Sequence, residues 1–184
     1  MSVIKLLEKG KHPCGLFIFD SCVIQDLGSS EIKQEITPII KQILKDGFKL
    51  SISQYSIYEL LRHATRKVED ERRKALNSFK RYHISEEVLV IAALLHTLYR
   101  NEGFNGGISE GDEIIAATAI SINASLLTRN PRDFPAPFFD NMNEGYFKKT
   151  TIEYNKQKNR PKTTYLHFLK PDYEAIQIKI AERK

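Results

Sequence analysis

The sequence predicts a three-layer α/β/α fold, with a central parallel sheet between helices and a basic extension at the C-terminus. Short apolar runs alternate with longer segments whose apolar residues recur at helical spacing, and this alternation favours a parallel sheet. Charge divides the chain, since residues 145–184 hold ten Lys and Arg against four Asp and Glu, whereas residues 1–144 hold 18 against 19. We therefore expect one domain over 1–144 and a basic extension over 145–184.

The first half of the chain predicts two strands and two helical segments. The run GLFIFD has no polar residue before its final Asp20, as in a strand buried on both faces. In the helical pattern at 30–46, Pro38 starts a second helix or introduces a kink, and Asp46-Gly47 ends the pattern. In order, the elements are a strand at 15–20, helical structure at 30–46, a strand at 48–53 and a long helix from Ser56 to about Lys80.

The second half predicts two more helices and a third strand. A short extended piece at His83-Ile84 precedes a helix that starts at Ser85. A loop covers 101–107, and Ser109 to Asp112 resembles a capping box that opens the next helix. ASLLT at 124–128 is a strand, a proline-rich loop covers 129–137, and Phe138-Phe139 adds a short edge strand. The tail predicts a hairpin and a final short helix.

Several classes of protein are excluded by composition. No apolar run reaches the roughly 20 residues that a membrane span needs, and the apolar stretch at 15–19 is too short for a signal peptide. Cys14 and Cys22 flank one strand and form no CxxC pattern, so we expect reduced thiols in a cytoplasmic protein.

Polar residues collect where the predicted strands end. Asp20 closes the first strand, Glu59 follows the second by about one helical turn, and Asp112 begins the helix that leads into the third. Thr128 and Asn130 end that third strand. Asp133 comes just after them. Ligands of parallel α/β sheets bind at this edge, so these side chains are expected to converge there.

Clustered carboxylates repel one another and raise one another's pKa unless a cation neutralises them. Oxygen ligands of this kind favour Mg²⁺ or Mn²⁺, and such ions bind phosphate oxygens and activate water. Each residue alone has a simpler explanation: Asp20 and Asp112 as helix caps, Glu59 as an acid favoured near a helix start, Asn130-Pro131 as a turn. Their order along the chain favours a shared metal site.

A second basic cluster covers residues 62–81, with eight Lys and Arg against three Asp and Glu. Cations on such a surface suit a polyanion, because contacts to phosphates release bound counterions. The cluster and the basic extension together indicate a nucleic-acid partner, although a solvated helix face of mixed charge would give the same pattern.

Three segments resemble the PIN-domain family, in particular the VapC-like toxin ribonucleases of type II toxin–antitoxin systems. They are FIFDSCVIQD at 17–26, SQYSIYELL at 53–61 and GDEIIAATAISINASLLTRNPRDF at 111–134. The resemblance covers about residues 15–140. The third segment is the most distinctive, because the acid, the small-residue helix and the TRN turn occur together in the family.

The resemblance implies a PIN-like fold and an Mg²⁺- or Mn²⁺-dependent endoribonuclease that leaves a 5′-phosphate. Asp20, Glu59 and Asp112 would bind the metal, while Thr128 and Asn130 would line the pocket. The family often has a fourth acid where this chain has Asn130, so either Asn130 acts through water or Asp133 supplies the charge, and one or two metals remain possible. The resemblance also implies RNA as substrate, a cognate antitoxin protein as partner, and a homodimer face formed by 30–46 and 56–80.

Two alternatives remain open at this stage. One is a PIN fold with impaired catalysis that binds RNA or a protein, which the Asn130 departure keeps in play. The other is a haloacid-dehalogenase-like phosphatase, which also places an Asp after an apolar strand. That family needs a second Asp two residues later, where this chain has Cys22.

Overall fold

The computed structural model describes residues 15–28, 30–62, 64, 66–104, 106–142, 150–154 and 162–183, and it contains one mixed sheet with helices on both sides. The seven strands are β1 (Leu16–Phe19), β2 (Lys49–Ser53), β3 (Lys80–Tyr82), β4 (Ser125–Thr128), β5 (Phe139–Asn141), β6 (Thr150–Tyr154) and β7 (Lys162–Pro171). The helices are α1 (Ser21–Leu27), α2 (Ser30–Lys45), α3 (Gln54–Leu61), α4 (Arg66–Leu76), α5 (Glu86–Asn101), α6 (Glu110–Ser121) and α7 (Tyr173–Glu182).

The strand order is β3-β2-β1-β4-β7-β5, and the first four strands run parallel. The predicted parallel sheet between helices is thereby confirmed. One feature was not predicted: strand β7 enters the sheet antiparallel between β4 and β5. The predicted tail hairpin is formed by β6 and the first half of β7.

Two apolar cores cover the two faces of the sheet. One contains side chains of α5, α6 and α7 against Ile18 and Leu126, and the other contains side chains of α1, α2, α3 and α4 against Phe17 and Phe19. The strand β1 lies in the middle, and all four of its residues are buried, as its unbroken apolar run predicts.

The predicted helix from Ser56 to Lys80 is wrong in two respects. It consists of two helices, α3 and α4, and Ser53 rather than Ser56 caps the first by accepting a hydrogen bond from the Tyr55 amide at 3.3 Å. The Arg72 guanidinium donates to the Leu60 carbonyl, and the Ala64 amide reaches back only to Leu61. In a continuous helix, the Leu60 carbonyl would accept a hydrogen bond from a backbone amide of the same helix. Here its donor is a side chain of the next helix.

The other boundary corrections are small. The extended piece predicted at His83-Ile84 is β3, which covers Lys80–Tyr82 and ends just before His83. Pro38 lies inside α2 without ending it. The capping box at Ser109, the strand after α6, the edge strand after Phe138, the tail hairpin and the last helix all occur as expected.

The tail contributes directly to the main sheet. Leu126, Leu127 and Thr128 of β4 pair with Leu169, Phe168 and His167 of β7, and Leu166, Phe168 and Leu169 are buried. The division of the chain at residue 144 stays a prediction. None of the helices among the described residues combines the length and the apolar character that crossing a bilayer requires. Cys22 is a free thiol, and Cys14 lies outside the described residues.

Candidate active site

Asp20 is fixed in place by its neighbours at the end of β1. It is buried, and its Oδ2 accepts hydrogen bonds from the Thr128 hydroxyl at 2.7 Å and from the Cys22 thiol at 3.0 Å. Its Oδ1 accepts one from the Ser21 hydroxyl at 3.3 Å. Asp20 occupies the N-cap position of α1, yet its side chain makes no capping bond. Helix capping therefore does not account for this carboxylate.

Thr128 organises the turn after β4. Its hydroxyl also accepts a hydrogen bond from the Asn130 backbone amide at 2.9 Å. The Asn130 side-chain amide donates to Asp133 Oδ2 at 2.6 Å. One network thus links Asp20 to Asp133 through the TRN turn. Asn130 is exposed, and its amide holds the neighbouring acid.

Glu59 lies in α3, half-buried and with an unsatisfied oxygen. Its Oε2 is buried and has no hydrogen-bond partner among the described residues. Burial raises the pKa of Glu59, the Ser21 side chain lowers it, and the negative charges of Asp112 and Asp20 raise it further. The exposed guanidinium of Arg62 opposes those charges. Glu59 therefore lies within electrostatic range of both other predicted metal ligands.

Asp112 forms the capping box that its sequence predicts. The Ser109 hydroxyl donates to Asp112 Oδ2 at 2.6 Å, and the Asp112 amide donates back to that hydroxyl at 3.2 Å. Burial raises the pKa of Asp112, the bonds from Ser109 lower it, and the charge of Asp20 raises it. Both Ser109 bonds go to Oδ2, so the cap fixes the carboxylate and leaves Oδ1 without a hydrogen bond from the described residues.

Asp133 is the fourth acid at this edge. Burial and then the charges of Asp112, Asp20 and Glu59 raise its pKa to about 6, against the hydrogen bond from Asn130. The structure therefore brings together all four acids that the sequence singled out. Their roles in binding or catalysis stay predictions.

Small residues bring α6 close to α3. A Cβ placed on Gly111 would lie 2.1 Å from Cε1 of Tyr55, so only glycine leaves room for the ring. Further along α6, the Thr118 hydroxyl lies 3.1 Å from the Ser53 hydroxyl at the end of β2. These contacts place Asp112 opposite Glu59. The Gly-Asp dipeptide before an apolar helix is the sequence pattern that could have indicated the role of Gly111. No local pattern indicates the contacts of Ser21 or Cys22.

A buried ion pair supports the same edge. Arg129 pairs with Asp26 of α1, and burial raises the pKa of Asp26 to about 6 although the Arg129 charge lowers it. The Arg129 amide also donates to the Cys22 sulfur at 3.5 Å. The pair anchors α1 to the turn that follows β4.

The predicted basic cluster at 62–81 is partly structural. Arg72 contacts the Leu60 carbonyl, and Arg73 forms an ion pair with Glu69 at 2.6 Å. Arg62 and Arg66 are exposed at the end of α3 and the start of α4. Cations free to meet a polyanion are therefore fewer than the sequence count implies.

The sequence profile of the PIN domain matches residues 17–137, which is most of the chain and includes all four acids. The chain belongs to the PIN domain family. The sequence matches no curated protein.

Solved structures of similar fold support this membership of the PIN family. A toxin–antitoxin complex from Klebsiella pneumoniae is 26% identical with a TM-score of 0.50, covering 65% of this chain and 91% of that one. VapBC-1 from nontypeable Haemophilus influenzae is 20% identical with a TM-score of 0.55, covering 65% and 90%. VapBC2 from Rickettsia felis, bound to a promoter DNA fragment, is 17% identical with a TM-score of 0.53, at the same coverage. The last two similarities concern the fold alone.

The acids of this PIN domain fit a divalent cation by chemistry and charge more than by preformed geometry. Within the described part of the chain, no three His, Cys, Asp or Glu side chains stand in an arrangement that would hold a metal ion as it is. The donors are carboxylate oxygens, which suit Mg²⁺ and Mn²⁺. Burial and then the charges of neighbouring acids raise the pKa of Glu59, Asp112 and Asp133, and Glu59 Oε2 is buried with no hydrogen-bond partner in the described part of the chain. A bound cation would offset the negative charge of the buried acids and would give the buried Glu59 oxygen a partner.

Proposed function

We propose that this PIN domain is a metal-dependent endoribonuclease that acts as the toxin of a toxin–antitoxin pair. The observation that carries the proposal is the convergence of Asp20, Glu59, Asp112 and Asp133 at the carboxyl ends of β1 and β4. Four acids gather there, and burial together with the charges of neighbouring acids raises the pKa of Glu59, Asp112 and Asp133, an arrangement that costs stability unless a cation is bound.

Asp20, Glu59 and Asp112 would hold Mg²⁺ or Mn²⁺, with Asp133 as a further acid oriented by Asn130. A bound ion of this kind polarises a phosphodiester and lowers the pKa of a bound water. The protein's own contribution is position: Thr128 and Cys22 fix Asp20, Ser109 fixes Asp112, and α3 presents Glu59 from the opposite side. Arg62 provides an exposed cation within electrostatic range of Glu59, and Arg66 is a second exposed cation at the start of α4 for the RNA backbone.

The toxin role rests on the similar complexes. The Klebsiella structure is a toxin–antitoxin complex, and the chain covers nearly all of that protein. We therefore propose that an antitoxin protein binds this chain in the cytoplasm and that α2 together with α3 and α4 forms a homodimer face. Co-expression with the product of the adjacent reading frame tests the first part, because a cognate antitoxin would co-purify with the chain.

The activity is tested with the full chain after treatment with EDTA. Single-stranded RNA should be cleaved when Mn²⁺ or Mg²⁺ is restored, leaving 5′-phosphate ends. Asp20→Asn, Glu59→Gln and Asp112→Asn should each lose on the order of 100-fold in rate, because metal stabilisation of the transition state amounts to several kcal/mol. Asp46→Asn, an exposed acid at the end of α2, is the matched control and should keep full activity. Cleavage that persists in Asp20→Asn would refute the proposal.

A second candidate, a PIN module that binds RNA without cutting it, is favoured by one observation. The described residues contain no ready-made group of three metal-ligating side chains. Calorimetric titration with Mn²⁺ separates the two functions. The enzyme should bind the ion in wild type and lose it in Asp20→Asn, whereas the module should bind RNA with no measurable Mn²⁺ site.

A further inference from the structure

Strand β7 brings aromatic side chains from the C-terminal extension to the end of β4. His167 pairs directly with Thr128, the residue whose hydroxyl holds Asp20. Because β7 runs antiparallel to β4, its earlier residues continue past the point where β4 ends. Tyr165 lies two residues beyond His167 in that direction, where the chain after β4 has turned away toward Asn130.

Side-chain alternation puts these aromatic groups on the same face of the sheet as Thr128, whose hydroxyl holds Asp20. Leu126 and Leu169 oppose each other and lie in the core formed with α5, α6 and α7. Two residues further along their strands, Thr128 and His167 are on the same face, and so is Tyr165. Directly paired side chains have Cβ atoms about 5 Å apart, so His167 adjoins the network that fixes Asp20.

Tyr165 has the form of a stacking platform. Its side chain is 41% exposed, whereas Leu166 and Phe168 on the opposite face are buried. The His167 ring stands edge-on to it, with centroids 6.5 Å apart and planes at 76°. His167 in turn contacts Asn141 of β5, with Nδ1 3.3 Å from the amide oxygen. The exposed ring is thus held in place by two strands.

We propose that Tyr165, positioned by His167, stacks on a nucleobase of single-stranded RNA next to the phosphate that lies at the acid cluster. The inference rests on the proposed function and names the part of the substrate that the extension contacts. Two further observations support RNA as the occupant. The extension carries ten Lys and Arg against four Asp and Glu. Its strand β7 pairs with β4, and the acids meet at the end of β4.

The test measures binding and cleavage separately. Fluorescence anisotropy with a labelled single-stranded RNA oligonucleotide in EDTA gives Kd for the full chain without cleavage. Tyr165→Ala should raise Kd by roughly 5- to 100-fold, because base–aromatic stacking is sequence-tolerant and strong. Tyr165→Phe keeps the ring and should stay close to wild type. His167→Ala should weaken binding less than Tyr165→Ala. Ile178→Ala, an equally exposed apolar residue on α7, is the control and should change nothing.

Each outcome separates this inference from the enzymatic proposal. If Tyr165→Ala binds RNA like wild type, or if wild type binds no RNA, the stacking proposal is wrong. If Tyr165→Ala weakens binding while wild type cuts no RNA in Mn²⁺, the stacking surface stands and the nuclease assignment fails. If wild type cuts RNA, Tyr165→Ala should raise KM with kcat nearly unchanged, since stacking contacts the base and makes no contact with the reacting phosphate.

Discussion

At the scale of single residues, the site depends on hydrogen bonds that orient carboxylates. One carboxylate oxygen of Asp20 accepts hydrogen bonds from the Thr128 hydroxyl and the Cys22 thiol, and these bonds fix the plane of the carboxylate. Asp112 is fixed by its own capping box. The sequence predicted the capping box because it is a local pattern of four residues. It could not predict the Thr128 bond, because that contact joins residues 108 positions apart.

Thr128→Val tests the orientation of Asp20. The valine has nearly the same shape, but it removes the donor to Asp20 and the acceptor for the Asn130 amide. Loss of such an orienting partner typically costs about 10- to 100-fold in activity, so we expect a fall of that size in the RNA cleavage rate. Thr128→Ser keeps the hydroxyl and should retain most activity. A Thr128→Val variant as active as wild type would show that Asp20 does not need this bond.

Asp133→Asn tests the charge of the cluster through pH. The folded-state pKa of Asp133 is about 6, above its unfolded value, so the folded protein binds the extra proton and is favoured at low pH. That stability is lost as pH rises through about 6. Discounted for partial exposure, the effect is on the order of 1 kcal/mol, or about 2–4 °C in Tm.

Asparagine carries no charge at this position. Without metal, the melting temperature of the Asp133→Asn variant should therefore exceed that of wild type at pH 7.5, and the difference between the two should shrink toward pH 4.5. A gap of equal size at both pH values would contradict the assignment of the raised pKa.

At the scale of elements, α6 packs against α3 and β2, and this contact sets the distance between Asp112 and Glu59. The periodic apolar pattern predicted both helices correctly in type. It failed to show the break between α3 and α4, because residues 62–65 contain neither Gly nor Pro. The Leu60 carbonyl near the end of α3 accepts a hydrogen bond from the Arg72 guanidinium, a contact from another helix that no local pattern reveals.

Gly111→Ala tests this packing. A Cβ there would lie within 2.8 Å of two ring atoms of Tyr55, so α6 or the ring must shift. Overpacking of this kind costs about 1–3 kcal/mol, and we expect a lower Tm by roughly 2–10 °C together with reduced RNA cleavage. Gly107→Ala is the control, because a Cβ at Gly107 meets no atom within 4 Å. Equal melting temperatures for the two variants would mean that α6 is not held close to Tyr55.

At the scale of the whole molecule, the basic extension is part of the fold as well as a surface. The sequence predicted the basic charge and the hairpin of the extension, and it assigned the extension to a region beside the domain. Its insertion between β4 and β5 was not predictable, because strand order is set by contacts distant in sequence.

Truncation after Met142 tests the contribution of the extension. Among the residues that the structure describes, it removes four buried apolar side chains: Leu166, Phe168, Leu169 and Ile176. Each contributes about 1.5–3 kcal/mol, so the loss is comparable with the whole stability of a domain of this size. We expect the truncated chain to lose its cooperative thermal transition and to aggregate through the exposed edge of β4. A truncated protein that melts sharply near the wild-type temperature would show that the first 142 residues fold alone.

The place of β7 also bears on how the protein is made. Within the described residues, β5 reaches the sheet only by pairing with β7, which is synthesised later. A nascent chain that has not yet released β7 from the ribosome cannot complete this side of the sheet, nor can it present Tyr165 to RNA. Completion of this side of the sheet is therefore deferred until β7 has been synthesised, and a product that terminates before β7 would lack the strand with which β5 pairs.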